Sequence, residues 1–166
     1  MEIIKFATEW AKAEVFSARF FIFFAIIHLT ASIGFWQLGK TEMAKAYIIP
    51  TLVAGLLILA VGVGISIVNN SRVTSFAEAY NANPTEFVQS EITRTEKSME
   101  EYRTIVFKII PFIIVVAALL IVFVDKPIWR ATAIITIAMM VVILLVDSNA
   151  NSRIEAYHKQ LELVNK

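Results

Sequence analysis

An ionisable side chain in the middle of an apolar run is the first place in this chain where chemistry would be sought. His28 lies within the long hydrophobic stretch from Val15 to Leu38. Imidazole titrates near neutrality, and inside a membrane-spanning segment such a group is by default a functional candidate. At about 100° per residue its helix face also carries Ala25, Ala31 and Ser32. A proton relay needs a second titratable group at similar depth, and none of the other three apolar runs has an Asp, Glu, Lys or His in its middle. The expectation is therefore a neutral imidazole, hydrogen-bonded to Ser66, Thr51, Thr132, Thr136 or a backbone carbonyl. His28, Ser32 and Ser66 form the candidate polar site of the apolar region.

Asp147, Asn149 and Asn151 have the first, third and fifth spacing of a calcium loop, but Ser152 stands where the turn glycine belongs and His158 where the bidentate glutamate belongs. That reading fails. Asp147 then pairs with Lys108 or Arg153 or points to water, and these three residues are the candidate neck between apolar and polar regions. Glu91, Glu96, Glu100 and Glu101 alternate with Arg94, Lys97 and Arg103 and read as solvated pairs on a helix surface. The absence of cysteine excludes thiolate nucleophiles, disulfides and cysteine-ligated metal. No phosphate-cradling glycine loop or nucleophile elbow occurs. The expectation is a chain that is not an enzyme and holds no cofactor or metal.

The elements that must position these residues are four near-equal segments, 2–38, 42–82, 84–124 and 127–165. As helices of about 40 residues each would be about 60 Å long, twice the hydrocarbon thickness of a bilayer, so half of each stands outside it. The predicted spans are 15–38, 46–68, 105–124 and 128–146, with polar helical arms at 2–14, 69–82, 84–104 and 147–165. The fold class expected is an all-α integral membrane protein, a single domain of four long antiparallel helices. A composition that is 58% hydrophobic exceeds what one soluble core of 166 residues buries. The net charge of +1 argues against a nucleic-acid partner. Glu2, Glu9 and Glu14 ahead of a long apolar run do not suit a cleaved signal, so the first run is expected to stay in the membrane.

Eleven basic residues fall on the side of the arms and four on the other, which puts both termini and the central segment in the cytoplasm. Gly39 is expected as a left-handed C-cap, with Thr41, Asn83 and Asp125 as N-caps and Glu86 completing a capping box with Asn83. Pro50 and Pro111 lie within spans two and three and predict gentle bends. Val88, Ile92, Thr95, Met99, Tyr102 and Val106 form a heptad seam. Matching stripes are Ile3, Phe6, Trp10 and Ala13; Val73, Phe76 and Tyr80; and Ile154, Tyr157, Leu161 and Val164. A first arm lying flat on the membrane is the alternative to its packing in the bundle. Thr51, Gly55, Gly62 and Ser66 form a small-residue face for close helix packing, within the bundle or in self-association. Expected partners are the bilayer and either further copies of the chain or other membrane subunits. The function expected is a non-enzymatic scaffold, accessory or signalling subunit, with a small channel or transporter lined by His28 and Ser/Thr groups as the alternative.

Overall fold

The computed structural model describes residues 2–165, and among them helix and short turns account for the whole chain. Four rods follow one another: α1 (Glu2–Leu38), α2 (Glu42–Ala82), α3 (Pro84–Phe123) and α4 (Pro127–Val164). Each is long and apolar enough to cross a membrane. Each also continues into a polar half, and the four polar halves lie at the same end of the antiparallel bundle.

The turns follow from local chemistry. Thr41 Oγ1 accepts the N–H of Ala44 at 3.1 Å, which starts α2. Asn83 Oδ1 accepts the N–H of Glu86 at 3.2 Å while Asn83 Nδ2 donates to Glu86 Oε2 at 3.1 Å, so the side chains close a reciprocal start for α3. Two caps differ from expectation. Gly39 keeps a negative φ; its N–H closes the last turn on the Phe35 carbonyl at 3.0 Å, and a Cβ there would collide with that same oxygen. Asp125 does not cap α4, because Arg130 draws its carboxylate to 2.7 Å and also bonds the Val124 carbonyl. The cap position falls to Lys126, without a side-chain bond.

The prolines are absorbed differently. α2 is interrupted at Tyr47, so Pro50 sits in the first turn of Ile48–Ala82, where its missing N–H leaves no ladder bond broken. Pro111 lies deep in α3, and the helix widens to i+5 bonding over Tyr102–Ile109 before reaching it. Proline cannot bond the carbonyl four residues back and crowds it, and the wide turn lets the rod continue past that lost bond.

Two cores hold the rods together. In the polar half, Ile3, Ala7, Trp10, Phe76, Phe87, Ile92, Ile154, Tyr157 and Leu161 are buried against one another, each large side chain contributing about 2 kcal/mol. α1 therefore packs in the bundle along its whole arm rather than lying apart from it. In the apolar half the core is Phe21, Ala25, Ile58 and Val142. The seam between α1 and α2 uses small residues: Ala18 and Ala25 are fully buried on α1, Gly62 lies against Ala18 and Phe21, and Gly55 lies against His28 and Leu29. A Cβ on Gly62 would lie 2.9 Å from Phe21 Cβ and 3.1 Å from the Ala18 carbonyl. The apolar part of α3, Ile110–Phe123, packs against α4 alone, leaving Phe112, Val115, Leu119 and Val122 exposed.

Candidate functional site

The residues expected to form a polar site in the apolar half divide. His28 is buried, and its Nδ1 lies 2.8 Å from the carbonyl of Phe24, one turn back on the same helix. Ser32 donates to the Ile48 carbonyl at 2.9 Å and ties α1 to α2. Ser66 does not join them. His28 lies against Gly55, and Ser66 is about 16 Å farther along α2. Of the small-residue face, Thr51, Gly55 and Gly62 are buried against α1, with the Thr51 hydroxyl bonded to the Tyr47 carbonyl, while Ser66 is only partly buried.

The neck holds the stronger polar chemistry. Arg153 on α4 donates through Nε and Nη2 to Glu14 Oε1 of α1, both at 3.0 Å. Glu91 is buried; it receives Arg94 in a two-pronged pair at 2.8 and 2.6 Å and the Tyr157 hydroxyl at 3.0 Å. Thr95 is fully buried and lies 2.8 Å from His158 Nδ1. Arg72 gives one N–H to Asn69 Oδ1 at 3.0 Å, and Asn69 in turn bonds the Ile65 carbonyl. The guanidiniums of Arg94 and Arg72 lie over the Trp10 ring, 4.4 and 5.7 Å from its centre, and Tyr157 stacks on that ring at 5.6 Å. The indole N–H of Trp10 is buried without an acceptor among the described residues. Lys108 is exposed and forms no ion pair with Asp147.

Of these groups, Trp10, Glu14, Asn69, Arg72, Arg94 and Asp147 line a cavity of about 300 Å³ bordered by all four rods. Space is left because each rod places a small residue there: Ser17, Gly64, Ser98 and Ala150. The wall runs along α1 from Trp10 to Phe21, about 16 Å of helix. Trp10, Arg72 and Arg94 mark the end nearer the polar core; Phe21, Val146 and Asp147 mark the end against the apolar core. Glu14, Ser98 and Tyr102 lie between.

Comparison of the chain with protein-family models, curated proteins and solved structures gives no match. The functional reading therefore rests on the cavity's own electrostatics. Asp147 forms no hydrogen bond or ion pair among the described residues. Burial, reinforced by the neighbouring Glu14 carboxylate and only partly opposed by Arg153, pushes its carboxyl up to about 6. Burial lowers the Arg72 guanidinium, with Arg94 adding to the effect. Burial, followed by Glu14 and Asp147, raises the Tyr102 hydroxyl; burial, followed by Glu91, raises that of Tyr157.

Of the expected neck, Asp147 lines the cavity and Arg153 holds its Glu14 wall, while Lys108 stands apart. The sequence pattern does not mark Glu14, Arg72, Arg94 and Tyr102 as cavity residues, and it presents Glu91 as a solvated carboxylate, whereas Glu91 is buried. The overlooked signal is a polar stripe: Glu91, Thr95, Ser98 and Tyr102 step by four, three and four, a heptad rhythm in polar side chains.

Proposed function

We propose that the chain is an integral membrane protein, with both ends and the polar half of the bundle in the cytoplasm. It acts without catalysis, as a scaffold, accessory or signalling subunit joined to further copies or other membrane subunits. Membrane insertion is supported by the outward-facing Phe20, Leu56, Val115 and Leu145, which lie on rods long and apolar enough to span hydrocarbon. The eleven-to-four division of basic residues supports the orientation.

The observation that carries the non-transport reading is the end of the neck cavity. It stops at Phe21 and Val146, and Phe21, Ala25, Ile58 and Val142 fill the space beyond, so its polar lining does not continue toward His28. A path for ions or polar solutes needs such a lining through the hydrocarbon. The rods instead run unbroken from one half to the other past a layer that holds the Glu14–Arg153 and Glu91–Arg94 pairs. A displacement in either half reaches the other through that layer. In liposomes the reconstituted chain should carry no pH-dependent current or solute flux. A flux abolished by His28→Gln would overturn this reading in favour of a small channel or transporter.

A further inference from the structure

Six charged side chains form or border the neck cavity, and they do not pair off completely. Arg153 is engaged by Glu14, and Arg94 by Glu91. Asp147 and Arg72 remain. Asp147 has no partner among the described residues, and Arg72 has only the neutral Asn69 oxygen for one of its five donors. They do not compensate each other. The charges that act on Asp147 are Glu14 and Arg153, and those on Arg72 are Arg94, Glu91, Glu14 and Tyr157. A partly buried, unpaired charge costs free energy at each end, and water in a cavity bordered by low-dielectric protein offsets that cost incompletely.

We propose that this cavity binds a small soluble zwitterion whose ammonium and carboxylate stand several bonds apart, of the ω-amino acid kind. The ammonium lies at Asp147 and Glu14, and the carboxylate lies at Arg72. The site is built for this shape. Its volume of about 300 Å³ falls at the lower bound of small-molecule pockets. Its two unmet charges face the cavity from separate ends, so an α-amino acid, with both charged groups on one carbon, satisfies only one of them. The aliphatic linker of an ω-amino acid passes Ala150 and Ser98. A zwitterionic lipid headgroup is disfavoured by polarity. With its tails along the apolar half, such a lipid carries phosphate inward and ammonium outward, whereas here the carboxylate is at the inner end and the guanidinium at the outer end.

The test uses the full chain in detergent with Trp36→Phe and Trp129→Phe, both exposed positions, so that Trp10 at the cavity wall reports occupancy. Titration with 5-aminovalerate should give a saturable change in Trp10 fluorescence and a matching rise in unfolding temperature. Valerate, pentylamine and glycine should each bind at least tenfold more weakly. Asp147→Asn should erase the preference for 5-aminovalerate over valerate, and Arg72→Gln the preference over pentylamine, while Arg72→Lys keeps both. Equal responses to all four probes, no saturable response in a cooperatively unfolding wild type, or unchanged selectivity in folded Asp147→Asn would each overturn the proposal. So would displacement of 5-aminovalerate by phosphatidylethanolamine vesicles, which would place a headgroup in the site.

Discussion

Replacing Asp147 by Asn should stabilise the protein at alkaline pH and have little effect in acid. The carboxyl is pushed from 3.8 to about 6 in the folded chain, chiefly by burial and then by Glu14. A group whose pKa is raised by folding favours the folded state while protonated; that contribution is complete below pH 4 and is lost as pH rises through about 6. A shift of about two units at 1.36 kcal/mol each places the stability lost between pH 4 and pH 8 at about 3 kcal/mol. The charges that act on Asp147 are Glu14 on α1 and Arg153, six residues farther along α4, with Tyr102 of α3 beside them and Arg72 of α2 at the other end of the cavity. Only Arg153 opposes the shift at close range. Asn keeps the shape and removes the charge. Reversible denaturant unfolding in detergent, measured for both proteins from pH 4 to pH 8, should give stabilities that coincide near pH 4, diverge as pH rises to about 6 and differ by a constant amount above it, with the variant more stable. A variant less stable at pH 8 would refute the reasoning, because it would mean that Asp147 is held by a cation. A difference independent of pH would refute it equally.

Glu91→Ala should destabilise by about 3–5 kcal/mol, since it leaves Arg94 and the Tyr157 hydroxyl without their shared acceptor, whereas Glu96→Ala on the exposed face should stay within about 0.5 kcal/mol by the same unfolding assay. Gly62→Ala should cost about 1–3 kcal/mol through contact with Phe21 and the Ala18 carbonyl, while Gly64→Ala, which meets nothing within 4 Å, should gain up to about 1 kcal/mol from helix propensity. In intact cells, Lys40→Cys or Lys126→Cys should react with an impermeant thiol reagent and Ser90→Cys should not; the reverse pattern would invert the proposed orientation.

The rods and most of their turns were legible because long apolar runs and short side-chain caps are local signals. Thr41, Asn83 and Glu86 sit where their hydrogen-bonding chemistry requires. The α1 seam was only half legible. Large side chains dominate a hydrophobic pattern, so Phe6 and Ala13 enter the expected stripe, while Ala7 and Ala11 of that arm are fully buried; farther along, Ala18 is fully buried where Gly62 of α2 comes close. The neck charges were hidden for another reason. Glu91 and Arg94 at i and i+3 have the same spacing whether they face water or a cavity, and the difference lies in Tyr157, 66 positions away, whose hydroxyl reaches Glu91. Glu14 and Arg153 are 139 positions apart and carry no shared local signal at all. The Gly39 expectation failed because glycine was needed there for room rather than for handedness.

The packing of α3 has a mechanical consequence. In the polar half that rod is clamped by α2 and α4, but beyond the wide turn at Tyr102–Ile109 it leans on α4 alone. The segment Ile110–Phe123 is thus a lever about 21 Å long, and a tilt of about 10° at its base sweeps its far end through roughly 4 Å. The α1–α2 seam, zipped by alanine and glycine, takes no part in that swing. At the start of that turn stands Tyr102, a wall of the neck cavity, so a push on the far end of this one rod would reach the polar half as a change in the shape of a pocket.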